Sequence, residues 1–222
     1  MFYQDERGQF RTSGFDEIPW IEYGFGTRAA YEWPQPWKTA TLRQTHSSMA
    51  IIVREPVSRA SAGDALITST PGLLAGVRTA DCLPILLVEE GRKVVAAVHA
   101  GWRGTVANVV ASTITRMCEE FSADPARIRA AIGPGIGPCC FEVGPEVAIL
   151  FGELFPERRD FNRRTKVDLA EANRRLLVRA GIPEERISGG APCTCCHPKE
   201  FYSHRRDADD AGRMLSVVGI RP

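Results

Sequence analysis

The sequence lacks any hydrophobic run that approaches the length of about 20 residues needed to cross a bilayer. Its first ten residues, MFYQDERGQF, also lack the apolar core of a signal peptide, so we expect no secretory leader. There is no excess of charge, because 28 Lys and Arg balance 27 Asp and Glu. These absences argue against a membrane protein. They also remove the electrostatic basis for binding nucleic acid or an anionic membrane surface.

The 222 residues contain no Gly/Ser tract, charge block or fixed-period repeat, which are the usual marks of linkers and repeat arrays. We therefore expect a single domain over residues 1–222. The cysteines number seven, which is odd, and two pairs are adjacent in sequence, Cys139-Cys140 and Cys195-Cys196. Adjacent cysteines rarely pair as a secreted disulfide framework would require. We predict a reducing, cytoplasmic location.

What the sequence does contain is a central stretch of two apolar runs, 83–88 and 94–98. A polar segment with one Gly, 89–92, separates them. Both runs are nearly continuous, which predicts an antiparallel hairpin whose strands are buried on both faces.

The hairpin predicts a pairing of two reactive side chains. With the turn centred between Glu90 and Gly91, Cys82 lies directly opposite His99, and opposite Cβ atoms are roughly 5 Å apart. A thiol and an imidazole then meet at the open end of the hairpin. A bulge at Pro84 would instead turn Cys82 away.

Other patterns predict the remaining elements. We predict one or two strands within 1–23 and further strands over 49–53, 64–68, 72–77, 128–132 and 214–220. Predicted helices cover 105–121, 145–155 and a segment from Asp168 to Ala180, capped by Asp168 and Gly181. The segment 29–38, rich in Pro and Trp, predicts an irregular surface loop.

The predicted helix after Gly104 begins beside His99 and Arg103. Free N–H groups and the positive end of the helix dipole at such a point favour an anion such as phosphate. Every strand-to-helix turn has an end of this kind, so the alternative is that it binds nothing.

Four motifs together resemble a known family. They are QTH at 44–46, RTADCLPILL at 78–87, HAGWRG at 99–104 and IGPGIGPCCFEVG at 132–144. With FYSHRRD and GRMLSVVGI further on, the chain resembles the laccase-domain family, once labelled multicopper polyphenol oxidases and now regarded as purine nucleoside phosphorylases. The resemblance implies an α+β fold, with mixed β-sheets layered with flanking helices.

The resemblance also implies a zinc site. Its ligands are the His of QTH, the Cys of ADC and the His of HAGW, which are His46, Cys82 and His99. Spacing alone does not identify His46. Two imidazoles and one thiolate leave a fourth position open, as catalytic zinc sites do. The activities that the resemblance implies are phosphorolysis of adenosine, inosine, guanosine and methylthioadenosine, and deamination of adenosine.

Phosphate must then be held by cations. A guanidinium binds phosphate bidentately, so our candidates are Arg28, Arg103 and Arg205, with Arg28 first because of its motif. Glu142 and Asp81 are candidates to orient a proton or a ligand.

A second group of possible metal ligands lies in Cys193-Thr-Cys-Cys-His197. The sequence shows no distant CxxC or HxxxH to complete a structural zinc site. We therefore expect Cys193, Cys195 and Cys196 not to be essential zinc ligands. An alternative role for this segment is to line the pocket.

Three other functions stay open at this point. A cysteine hydrolase would use Cys82 as nucleophile and His99 as base, for example on a peptidoglycan precursor. A copper polyphenol oxidase would use the same His₂Cys set with Met49 as axial ligand. It would need more histidines for a multicopper cluster than the four present. A non-enzymatic binding module would leave the polar constellation unexplained.

Overall fold

The computed structural model describes residues 1–29, 34 and 38–222. The strands are β1 Phe2–Gln4, β2 Phe10–Thr12, β3 Ile21–Gly24, β4 Lys38–Arg43, β5 Ala50–Ile52, β6 Ser58–Ala62, β7 Ala65–Thr68, β8 Leu73–Thr79, β9 Leu83–Glu89, β10 Val94–Ala100, β11 Ile128–Ile132, β12 Glu142–Val143, β13 Thr165–Lys166, β14 Ile187–Ser188 and β15 Met214–Ile220. The helices are α1 Ser13–Asp16, α2 Trp102–Val106, α3 Val109–Phe121, α4 Pro145–Ala148, α5 Leu169–Arg179 and α6 His204–Asp207.

Two large mixed sheets form the architecture. A six-stranded sheet has the order β14-β11-β9-β10-β7-β5, and a five-stranded sheet has the order β3-β15-β8-β4-β6. Both sheets combine antiparallel and parallel pairs: β4 pairs in parallel with β6 and β8, β5 pairs in parallel with β7, and β11 pairs in parallel with β14. This is the predicted class of fold, mixed β-sheets with flanking helices.

The central hairpin is apolar on both faces because both faces are covered. Leu86 and Val88 of β9 belong to a core shared with the five-stranded sheet. Ile85 and Leu87, which alternate with them, pack in a second core with α3 and α5. Side chains of a strand point to opposite faces in turn, so a middle layer needs an unbroken apolar run.

Strands from both ends of the chain interleave in the five-stranded sheet, since β15 lies between β3 and β8. This interleaving supports a single domain over 1–222, which stays a prediction. None of the helices in the described residues has the length and apolarity that crossing a bilayer requires. The predicted loop over 29–38 lies almost wholly outside the described residues.

The register of the hairpin differs from the prediction by two residues. The turn is centred one residue later, so His99 faces Pro84 instead of Cys82. Cys82 lies just before β9, two residues before Pro84. A shift of two residues keeps the side chain on the same face of the sheet, because the period is two. The prediction that Cys82 lies directly opposite His99 was wrong, but the two side chains do lie close together.

The single helix predicted over 105–121 forms as two helices in the structure. It begins earlier, at Trp102, and is interrupted at Asn108, whose φ of 59° is left-handed. Asn tolerates this conformation better than most residues. The predicted helix over 145–155 is short, and ends as a 3₁₀ turn at Phe151. The helix that follows Asp168 is confirmed. Its N-cap carboxylate accepts a hydrogen bond from the Glu171 N–H at 2.9 Å.

Candidate metal centre and cavity

Three connections meet at one end of the central hairpin and bring the three predicted ligands together. His46 follows β4, Cys82 precedes β9, and His99 is near the end of β10. The ligand atoms of the three residues all lie within 4.8 Å of one another. Cys82 Sγ is 3.9 Å from His46 Nε2, and the two imidazole rings are 4.8 Å apart, edge to face.

A buried carboxylate that sequence reasoning missed organises this group. Asp64 immediately precedes β7 and is completely buried. One of its oxygens lies 2.8 Å from His99 Nδ1 and accepts a hydrogen bond from the His46 N–H at 3.0 Å. The other accepts from the N–H and hydroxyl groups of Thr45 and Ser47 at 2.6–3.2 Å.

These bonds fix both histidines. The His46 backbone has a φ of 60°, a left-handed conformation that the contacts to Asp64 hold in place. With Nδ1 of His99 facing the carboxylate, its Nε2 is the nitrogen left to face Cys82. A carboxylate behind a ligating His commonly sets its tautomer and orientation in this way.

The same contacts set the charges. Burial alone would raise the pKa of the Cys82 thiol, but hydrogen bonds from His46 and His99 outweigh it and lower the pKa to about 6. Burial alone would lower the pKa of His99, but its bonds to Asp64 and Cys82 raise it to about 9. Cys82 is therefore mainly a thiolate at neutral pH. This is the form that binds a metal and also the form that acts as a nucleophile.

The fit of the group to a metal ion rests on two features. Two imidazoles and a thiolate are donors that zinc accepts, and all three line a cavity that offers a further position. The backbone is also shaped for the cluster. A Cβ on Gly101 would lie 2.8 Å from Cys82 Sγ and 3.0 Å from the His46 ring, so only a glycine fits there.

The cavity has a volume of about 610 Å³ and combines apolar and cationic walls. The apolar wall includes Leu42, Trp102, Ile136, Phe141, Val143 and Leu169. The cations are Arg78, Arg103, Arg205 and Arg213. His204 also lines the cavity. A small molecule with an apolar ring and an anionic partner matches these walls.

The structure separates the three predicted phosphate ligands. Arg103 and Arg205 line the cavity, but Arg28 does not. The Arg28 side chain donates to the Phe201 carbonyl at 3.1 Å, stacks 4.3 Å from the Tyr202 ring centroid and lies 3.5 Å from Asp207. Its motif therefore marks a contact between the two ends of the chain. Arg78 and Arg213 also line the cavity and were missed, although they lie in the motifs RTADCLPILL and GRMLSVVGI.

The two carboxylates predicted to orient a proton or a ligand have different positions. Asp81 lines the cavity, but its oxygens accept hydrogen bonds from the hydroxyls of Thr194 and Ser203 and from the N–H of Arg205, at 2.6–3.0 Å. It therefore holds the residue before Cys82 against the C-terminal segment. Glu142 does not line the cavity and lies 3.4 Å from Arg164.

The cysteines of the C-terminal segment do have a distant partner. Cys193 and Cys196 meet Cys139 and Cys140, and all four sulfurs lie within 4.8 Å of one another. The expectation that this segment lacks a second ligand pair was wrong, because the pair is two adjacent cysteines and not a CxxC. The four residues do not line the cavity, which contradicts the alternative that they would.

Comparison with known proteins gives consistent matches. A family model described as "Multi-copper polyphenol oxidoreductase laccase" matches residues 27–221. A purine nucleoside phosphorylase of Deinococcus radiodurans is 42% identical over 186 residues, which cover 82% of this chain and 70% of the relative. Adenosine deaminase RL5, from an unknown prokaryotic organism, is 38% identical over 191 residues, 79% of this chain and 72% of the relative.

Solved structures match as well. YlmD from Geobacillus stearothermophilus superposes with a TM-score of 0.89 at 28% identity, covering 100% of this chain and 99% of that one. The hypothetical protein YfiH of Bacillus licheniformis gives 0.86 at 27% identity and covers 99% of both chains.

Proposed function

The chain belongs to the multi-copper polyphenol oxidoreductase laccase family, and from its relatives named purine nucleoside phosphorylase and from the cavity we propose that it is a zinc-dependent purine nucleoside phosphorylase. Its substrates would be phosphate and adenosine, inosine, guanosine or methylthioadenosine. Its products would be the free base and a ribose 1-phosphate. The observation that carries the proposal is the His46/Cys82/His99 group at the wall of a cavity that also presents four arginines.

The reaction needs cationic groups that hold phosphate and an apolar surface that holds the purine, and this cavity offers both. A phosphate oxygen attacks the anomeric carbon of the ribose, the bond to the base breaks, and the base leaves with the electron pair and takes up a proton. Guanidinium groups hold the phosphate dianion for that attack, and Arg103 and Arg205 are suited to this. The apolar wall, with Trp102 and Phe141, suits the flat purine.

His46, Cys82 and His99 would hold the zinc ion, and Asp64 would orient His99. A bound zinc ion would supply Lewis-acid polarisation of the substrate. Zinc is favoured over copper because Met49, the only axial ligand suggested by the sequence, does not line the cavity and is 52% exposed.

The test is turnover of adenosine with and without phosphate, with products separated by chromatography. We expect adenine and ribose 1-phosphate only when phosphate is present. Equal release of adenine without phosphate would make the protein a hydrolase. An absence of turnover of all four nucleosides by zinc-loaded protein would overturn the proposal and favour the cysteine hydrolase.

Adenosine deamination is the second candidate, because one relative is named an adenosine deaminase. Its nucleophile is water, so it needs the zinc ion but no phosphate. In the same experiment it would release ammonia at equal rates in both buffers, with inosine as the product without phosphate and inosine plus hypoxanthine as the products with phosphate. The two reactions can therefore be measured separately in one assay.

The arginines provide a sharper test of phosphate binding. We expect Arg103→Ala and Arg205→Ala each to raise the KM for phosphate about ten- to a hundred-fold, since a charge-assisted contact is worth about 1.5–3 kcal/mol. Arg205→Lys should recover only part of the loss, because Lys cannot bind bidentately.

Two further variants serve as comparisons. Arg28→Ala should change the KM for phosphate little, since Arg28 is engaged with Phe201 and Tyr202 outside the cavity. Arg116→Ala, on the exposed face of α3, is the control for loss of a surface charge. An effect of Arg28→Ala as large as that of Arg103→Ala would place phosphate at the end of the molecule where Arg28 lies.

A further inference from the structure

A second sulfur-rich cluster lies outside the cavity. Cys139 and Cys140 come from the loop after β11, and Cys193 and Cys196 come from the segment before α6. Cys196 Sγ is 3.5 Å from Cys139 Sγ and 3.4 Å from Cys140 Sγ, although Cys139 and Cys196 are 57 positions apart in sequence. The function proposed above makes no use of these four thiols.

We propose that Cys139, Cys140, Cys193 and Cys196 bind a second zinc ion, as a structural tetrathiolate site. A tetrahedral zinc ion with Zn–S bonds of about 2.3 Å places its sulfurs about 3.8 Å apart. The separations of 3.5 and 3.4 Å from Cys196 are close to this value, all four sulfurs lie within 4.8 Å of one another, and both distances are far from the bond of about 2.05 Å in a disulfide. Four sulfur donors in a tetrahedral arrangement are typical of zinc among the common metals.

The surroundings of the cluster have the features of a built site. The Gly137 N–H donates to Cys193 Sγ at 3.2 Å, and a Cβ on Gly137 would lie 3.2 Å from the Cys193 Cβ and 3.3 Å from the Cys139 sulfur. Arg205 donates to the Cys140 carbonyl at 2.9 Å. Hydrogen bonds to the sulfurs and to their backbone commonly fix the ligands of metal sites.

Positive charge lies beside the cluster as well. Arg206 donates to the carbonyls of Thr194 and Cys195 at 3.0 and 3.1 Å, and Arg205 lies on the other side at Cys140. Four thiolates around one divalent zinc ion carry a net charge of −2. Arg206 is already paired with Asp207 at 2.7 Å, so Arg205 contributes more of the positive charge that offsets the charge of the site.

The site would join two segments that form one wall of the cavity. The first segment carries Ile136 and Phe141, which line the cavity. The second carries Thr194 and Ser203, whose hydroxyls hold Asp81 next to Cys82. A structural zinc ion contributes folding free energy directly. The second ion would therefore stabilise the wall without taking part in the reaction.

Metal analysis of the purified protein tests the proposal. The protein is prepared with reductant and without chelator. We expect about two zinc ions per chain in the wild type, one in the Cys82→Ala/His99→Ala variant and one in the Cys139→Ser/Cys196→Ser variant. The control is Cys195→Ser, which should keep both ions because Cys195 is adjacent to the cluster but outside the four. Wild-type zinc content in the Cys139→Ser/Cys196→Ser variant would overturn the proposal.

A second measurement covers the case in which that variant does not fold. The Cys82→Ala/His99→Ala protein, stripped of metal, is titrated with cobalt(II) and its absorption is recorded. We expect the intense sulfur-to-cobalt and visible bands of tetrahedral thiolate coordination, at one cobalt per chain. The titration is done with all thiols reduced, as checked by the intact mass, and an absence of such bands from that protein would overturn the proposal. Neither readout depends on enzymatic activity, so failure here is distinct from failure of the proposed function.

Discussion

The Cys82→Ala/His99→Ala variant is expected to lose phosphorolysis by about a thousand-fold or more and to lose the metal ion of the cavity. Lewis-acid stabilisation of a transition state is worth several kcal/mol, and about 4 kcal/mol corresponds to a thousand-fold change in rate. His46 alone, on an exposed connection, would be the only ligand left. The measurement is metal content by mass spectrometry alongside adenosine turnover at saturating phosphate.

Chelation of the wild type discriminates between the two possible roles of Cys82, metal ligand and nucleophile. If Cys82 is a zinc ligand, chelation of the wild type abolishes turnover and added zinc restores it. A cysteine hydrolase would keep its activity after chelation and lose it after alkylation of the thiol. Retention of full phosphorolysis by the metal-free wild type would contradict the assignment of His46, Cys82 and His99 as metal ligands.

The central hairpin was predictable because the residues of its two strands are almost all apolar. An unbroken apolar run indicates a strand covered on both faces, and β9 and β10 are such strands. The register was not predictable from the same run. It depends on a four-residue turn in which Lys93 has a φ of 53°, and no residue type there signals that conformation.

Some residues of the candidate site could likewise be predicted from the sequence, and others could not. The Cys82–His99 proximity could be predicted because the side-chain period of a strand preserves the face even when the register shifts by two. Asp64 could not, since it meets His99 across 35 positions and looks like any polar residue before a strand. Cys139-Cys140 was missed for the same reason. Two adjacent cysteines resemble no known ligand spacing until the fold brings a second pair to them.

The position of Arg28 could not be predicted from its motif, and its role in phosphate binding stays a prediction. Its motif and that of residues 201–207 are both distinctive in sequence, and a shared role in phosphate binding was the natural interpretation. In the structure the two motifs contact each other, through Arg28 and the Phe201 carbonyl. The contact gives both motifs a structural role without a substrate between them.

Asp64→Ala is expected to have the largest effect on stability. The substitution removes a completely buried carboxylate that contacts His99 Nδ1 and accepts hydrogen bonds from Thr45, His46 and Ser47. Removing one partner of a buried charge network costs about 3–5 kcal/mol. At roughly 2–4 °C per kcal/mol for a chain of this size, thermal unfolding should shift downward by about 6–20 °C. Glu120→Ala is the control, because Glu120 lies on the exposed face of α3 beside Arg116 and its loss should cost less than about 1 kcal/mol.

Asp64→Asn separates the role of Asp64 in metal binding from its role in folding. The amide keeps the shape and one acceptor, but it cannot satisfy both the N–H groups of the His46 connection and His99 Nδ1 as the carboxylate does. If the amide donates to Nδ1, the proton of His99 moves to Nε2, the nitrogen that faces Cys82. We expect zinc affinity to fall about ten- to a hundred-fold in a competition titration. The protein should remain folded by circular dichroism. Wild-type zinc affinity in this variant would show that His99 keeps its orientation without the carboxylate, and that Asp64 serves the fold alone.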